Sequence, residues 1–171
     1  MSEKIYIEQH LQNTCDLIIQ HIKNVQIFQK NINKSLGWHS RFMEMLFHPE
    51  DVLIFKGYSK TIFNDKEVGT IKVQKEHIVP MTYLLNELWL LLERKKLSDK
   101  EISTILKRNL GVAYISHHEA KKLDTKYSGL KIKMPDHWNI LTDDPLDRLK
   151  AVGIILVNEQ GQEINNFKSF D

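Results

Sequence analysis

Thr70-Ile71-Lys72-Val73-Gln74-Lys75-Glu76-His77-Ile78-Val79-Pro80 is the stretch on which the fold of this chain turns. Ile71 and Val73 alternate with Lys72 and Gln74, the period-two pattern of a strand with one covered face. Pro80 cannot donate to a ladder, so the strand stops there. Met81 to Lys96 follows with an apolar face wide enough for a buried helix. Glu76-His77 therefore sits at the end of a strand. Neighbouring strand residues point to opposite faces, so both reach one site only if the strand frays, twists or bulges there.

Downstream, Ser98-Asp99-Lys100-Glu101 is a capping box that starts a helix running to about Arg108. Val112 to Ile115 is a short apolar strand. Ser116-His117-His118-Glu119 is a second capping box, opening a helix to about Lys126, with Gly129 closing the section. Residues 130–141 read as irregular. Asp144, Pro145 and Asp147 cap a last helix over about 146–151, and Ile154 to Val157 reads as a final strand before a polar tail, Gly161 to Asp171.

Upstream, Ile7, Leu11, Cys15, Ile18, Ile22, Val25 and Phe28 recur at three- and four-residue spacing, predicting one long helix or two over 5–33. Gly37 breaks the pattern. A short helix over about 38–47 ends at His48-Pro49. Val52 to Phe55 reads as a strand with a turn near Gly57, and 59–69 as a polar loop. The whole is a mostly helical α+β domain over 1–171. It has a helical part at 1–48, a strand–strand–helix unit at 70–126 with a two-helix insert at 81–108, and an irregular and helical extension at 127–171.

Of 171 residues, 42% are hydrophobic and 27% charged, which is globular rather than disordered composition. The single cysteine, Cys15, excludes an internal disulfide, and no Cys-x-x-Cys pair suggests a zinc knuckle. Cys15 lies in the apolar helical stripe and reads as a core residue. The longest apolar run, Leu84 to Leu92, contains Asn86 and Glu87 and is too short to span a bilayer. Met1-Ser2-Glu3-Lys4 is polar and is not followed by an unbroken apolar run, so no signal peptide is expected. A cytoplasmic protein without a membrane partner is the expectation. Net charge is +2, but residues 93–133 carry eleven basic and five acidic side chains, whereas 134–171 carry three and seven. A basic middle segment suits phosphate groups, and equally suits a solvated surface.

A helix N-terminus disfavours imidazolium and keeps a histidine neutral, as a metal ligand must be. Glu76-His77, the first-turn His117 and His118, and the lysines around them thus have the composition of a divalent-metal phosphodiesterase site. The order of these parts resembles the ββα-metal (HNH) nuclease motif. Glu76-His77-Ile78-Val79-Pro80 matches its acid-His-hydrophobic-x-Pro element. Asn109-Leu110, the strand at 112–115 and His118 match its second element, with Lys121 three residues on. The resemblance covers about residues 70–126. It departs from the family in its long insert between His77 and Asn109 and in lacking the cysteine pairs that stiffen many such motifs.

The resemblance implies a metal-dependent endonuclease acting on DNA. His77 would be the general base, Asn109 would orient it, and Glu76 and His118 would hold one Mg²⁺ or Mn²⁺, or else Zn²⁺ or Ni²⁺. His117 would be an additional group, and Lys121, Lys122 and Arg41 would meet phosphates. Plainer readings stand beside these. Glu76-His77 is also compatible with an exposed strand end, His117 with a surface position, and His118 with packing on a neighbour. Trp38, His39, Arg41 and His48 also read as core aromatic plus polar surface, and Trp138 in the rigid loop Met134-Pro135-Asp136-His137-Trp138 reads either as a ring that stacks on a base or as a plug at the core's edge. The alternative function is a non-enzymatic interaction or regulatory protein with a protein partner.

Overall fold

The computed structural model describes residues 3–37, 39–66, 68–124 and 126–165. Trp38 and the tail from residue 166 lie outside the described residues. The fold is α+β: helices and one four-stranded mixed sheet share a single hydrophobic core.

Helix α1 runs unbroken over Glu3–Asn31 and buries Leu11, Cys15, Ile18, Ile19 and Ile22, so the expected stripe is one helix. The C-terminal end of that stripe stays outside: Phe28 is exposed. Helix α2, Arg41–Leu46, is followed by a single helical turn, α3, Glu50–Leu53. The strand expected at 52–55 instead begins after that turn, as β1, Phe55–Ser59. Pro49 fixes an extended backbone ahead of α3, and Glu50-Asp51 occupy its first turn, where acids suit a helix start. The expected loop over 59–69 contains a helix, α4, Lys60–Asp65. Ser59 starts it by accepting the Ile62 amide.

Strand β2 spans Val73–His77. After Pro80 comes α5, Met81–Arg94, buried along Leu84, Leu85, Leu88, Leu91 and Leu92, and closed by Lys95 in the left-handed region. Helix α6, Asp99–Asn109, opens on the Ser98–Glu101 capping box, which forms as the sequence implies. Strand β3, Val112–Ser116, leads into α7, His117–Lys122, through the second capping box, Ser116–Glu119. A long irregular segment then leads to α8, Asp147–Lys150, and to β4, Leu156–Val157.

The sheet order is β2-β3-β1-β4. Strand β2 pairs antiparallel with β3 in unbroken register from Val73↔Ser116 to His77↔Val112. Strand β1 lies parallel to β3 and antiparallel to β4. Gly57 allows the β1–β4 approach, because a Cβ there would stand 2.5 Å from the Val157 carbonyl oxygen. Helix α1 packs mainly on α6, and α5 joins both. Trp138 is the plug the sequence allowed for: it is buried, donates Nε1–H to the Asp144 carbonyl at 3.1 Å and meets Tyr83 edge-on.

Candidate functional site

The antiparallel pair β2–β3 followed at once by α7 is the strand–strand–helix order read from the sequence. The side chains on it divide between two neighbourhoods. Glu76 turns toward α8. Its Oε1 accepts from Nη2 of Arg148 at 2.6 Å. Arg148 is fully buried and saturated with acceptors: Nε donates to the Ile78 carbonyl at 3.2 Å, Nη1 to that of Leu130 at 2.8 Å, and Nη2 also to that of His77. Burial works to lower the arginine pKa and the Glu76 carboxylate opposes it. The guanidinium thereby fastens the end of β2 and the strand exit to the segment after α7.

His77 turns toward α3. Its Nε2 lies 3.0 Å from Oε1 of Glu50. Lys75, on the same face two residues earlier, reaches the other oxygen of Glu50 at 2.5 Å. That hydrogen bond holds the lysine pKa above its ordinary value. Tyr114 stands opposite Lys75 in the ladder. Its hydrogen bond to Asp51 raises the phenol pKa, and burial adds to the rise. The two acids that open α3 thus receive three side chains from β2 and β3. A carboxylate at Nε2 fixes the imidazole proton there, which leaves Nδ1 as the basic nitrogen of the neutral ring. Tyr58 continues this face across β1: its ring stacks on Tyr114 at 5.9 Å between centroids, Phe55 meets Tyr58 edge-on at 5.0 Å, and the Lys66 ammonium sits 4.4 Å above the Tyr58 ring.

The remaining expected residues lie elsewhere. His117 and His118 are exposed on α7 beside Lys72, Thr61 and Lys122, bordering a shallow hollow of about 320 Å³. The backbone amide of His117 bonds the Lys72 carbonyl, so this helix start sits at the N-terminal end of β2. Glu76 is four residues further along, roughly 13 Å at strand rise. Glu76 and His118 are therefore not brought together, and the Glu76 carboxylate is already engaged by Arg148. This donor pair does not fit one shared divalent ion at ligand distances near 2 Å. Among the described residues, no group of three or more His, Cys, Asp or Glu side chains is placed to hold a metal.

Asn109 is fully buried, and its amide donates to the carbonyls of Ile105 at 2.8 Å and Ile140 at 3.3 Å, not to His77. It ties the end of α6 to the irregular segment. Lys121 and Lys122 are exposed in the last turn of α7, and Arg41 is exposed on α2, which packs on α5.

The sequence singles out none of Glu50, Asp51, Tyr58, Lys66, Tyr114 and Arg148. Glu50 followed a His-Pro that read only as a helix stop. Arg148 sat in a short helix that read only as capped. An arginine between Leu146 and Leu149 was the one available hint, since a charge inside an apolar turn must find partners if it is buried. Among the described residues, no helix is long and apolar enough to cross a membrane. Comparison of the chain with family models, with curated proteins and with solved structures returned no match.

Proposed function

We propose that the protein acts on nucleic-acid phosphodiesters from the β2–β3–β1 face, with His77 as general base. The observation that carries this reading is the His77–Glu50 hydrogen bond at 3.0 Å. A carboxylate that fixes the imidazole tautomer leaves Nδ1 to take a proton from an attacking water. Lys75 is paired with Glu50 on this face, Lys66 sits over the Tyr58 ring, and the stacked Tyr58 and Tyr114 rings offer a surface for bases. The strand–strand–helix order around His77 and the acid-His-x-x-Pro segment agree with an HNH-like nuclease. No step is assigned to a metal, because the Glu76–His118 pair does not fit one.

A second reading has its own observation. Glu76 is neutralised by the buried Arg148 and stands apart from His118, which suits a non-enzymatic binding protein built on the same scaffold. One experiment separates the two. Supercoiled plasmid and single-stranded DNA are incubated with the wild-type chain, His77→Ala and Glu50→Gln, in Mg²⁺, Mn²⁺, Zn²⁺ or Ni²⁺ and in EDTA. Nicking or shortening lost in both variants supports the first reading. Cleavage that survives His77→Ala overturns it. DNA binding without cleavage under every condition favours the second.

A further inference from the structure

A cavity of about 830 Å³ lies between the first half of α1, the α3–β1 corner and the last turns of α6. Lys107 pairs with Glu8, and Asp99 with Lys23, so α1 and α6 run antiparallel and α6 ends level with the opening turns of α1. Ile7 and Leu11 carry the apolar stripe of α1 into this region. With Val52, Leu53 and Phe55 they form the apolar wall. The volume is within the usual range for small-molecule sites.

The polar groups around this wall are already matched. Lys107 is committed to Glu8 at 2.5 Å. Lys56 has a partner of its own. The Arg108 guanidinium donates to the Leu141 carbonyl at 2.8 Å and to the Ile140 carbonyl at 2.5 Å, and Asp143 and Asp144 favour its charge. The Gln12 amide donates to Asp16 at 3.0 Å and to Ser103 at 2.7 Å, and the Thr104 hydroxyl donates to the Lys100 carbonyl at 2.9 Å. Glu3 and Lys4, one charge of each sign, are exposed to water. A charged occupant would lose hydration here and find no unmatched charge enclosed in the wall to replace it. An uncharged apolar occupant loses little hydration and covers the five apolar side chains.

We propose that this cavity binds a small uncharged apolar molecule, held against Ile7, Leu11, Val52, Leu53 and Phe55. Val52 and Leu53 are the last two residues of α3, and its first two, Glu50 and Asp51, hold Lys75, His77 and Tyr114. The cavity wall and the His77 contacts therefore share one helical turn. The inference does not rest on the proposed hydrolysis, because His77 does not line the cavity.

The test uses the full chain, the uncharged fluorophore N-phenyl-1-naphthylamine, and its displacement by probes of equal chain length: 1-octanol, octanoate and octylammonium. The fluorophore is expected to bind saturably, and octanol to displace it below about 1 mM. Octanoate and octylammonium are expected to be at least about tenfold weaker, since each head gives up hydration. Val52→Trp fills the cavity from α3 and Thr104→Trp fills it from α6. Both positions are exposed, and either variant carries the test if the other does not fold. Each is expected to weaken the fluorophore and octanol at least about tenfold. Met45→Trp, at an exposed position on α2 outside the cavity wall, is expected to bind both as the wild type does. The proposal is overturned if octanol does not displace the fluorophore at about 1 mM, if either charged probe matches octanol, if a folded Val52→Trp or Thr104→Trp binds octanol as tightly as the wild type, or if Met45→Trp weakens binding equally.

Discussion

Replacing Arg148 with Met measures how the hairpin end is held. Met retains most of the side-chain volume and removes every donor. Three carbonyls, those of His77, Ile78 and Leu130, lose the arginine's hydrogen bonds, and the Glu76 carboxylate loses its cation. Each lost carbonyl bond costs about 1 kcal/mol. Glu76 keeps about a fifth of its side chain in water, so part of its charge is resolvated and its share is discounted to about 1 kcal/mol. The sum, about 4 kcal/mol, agrees with the range for breaking a buried pair from one side. In urea, with a slope of about 2 kcal/mol per molar, the midpoint should fall by about 2 M. Glu76→Gln alone should cost about 1–2 kcal/mol, since Arg148 keeps its carbonyls, and the double variant should cost less than the two single costs combined. If Glu76 were instead a free metal ligand, Glu76→Gln would leave metal-free stability unchanged or raised. A midpoint shift below about 0.5 M for Arg148→Met, or strict additivity with Glu76→Gln, would refute the argument.

Glu119 gives a pH-dependent prediction. Burial works to raise its pKa, but hydrogen bonds from the Ser116 amide, Ser59 and Thr61 outweigh that and hold it below the ordinary glutamate value. A depressed folded pKa stabilises above the unfolded value of about 4.3, and that contribution is lost as pH falls through the folded value. Glu119→Gln should cost about 1–3 kcal/mol at pH 7, and the gap from wild type in urea titrations should narrow below about pH 4; a gap constant down to pH 2 would contradict this. For Cys15, fully enclosed and with burial first among the causes pushing its pKa up to about 12, iodoacetamide at pH 8 should label the unfolded chain and leave the native chain unlabelled over the same time. Rapid native labelling would place the thiol at the surface.

The elements legible in the sequence are those fixed by local chemistry. Both capping boxes formed, because Ser98 with Glu101 and Ser116 with Glu119 satisfy amides within four residues of chain. The α1 stripe and the apolar α5 declared themselves by period. What stayed hidden depends on distant partners. Helix α4 lies in a polar stretch, and its start is secured by Ser59, whose hydroxyl also donates to Glu119 sixty residues on. The strand expected at 52–55 shifted because Glu50 to Leu53 coil into a turn whose acids are occupied by β2 and β3. Asn109, expected to orient His77, instead joins Arg108 in holding the segment around Ile140, for which the sequence offers no periodic signal.

The dipeptide at the end of β2 shows where the motif match and the strand geometry part. A shared site for Glu76 and His77 requires a fray, twist or bulge that turns two neighbours to one face. The β2–β3 ladder runs through both residues without a register shift, Glu76 on Ala113 and His77 on Val112. With that ladder intact, alternation sends one side chain to α8 and the other to α3. The buried guanidinium at α8 then claims the carboxylate, and its bonds to the His77 and Ile78 carbonyls resist any bulge that would bring Glu76 round. The contacts on the His77 side are separate from those of Glu76: Glu50 is the carboxylate partner of His77 and Lys75, and Tyr114 is held by Asp51. Glu76 contributes by anchoring the strand, so the acid that completes the histidine's environment comes from α3, twenty-seven residues earlier in the chain.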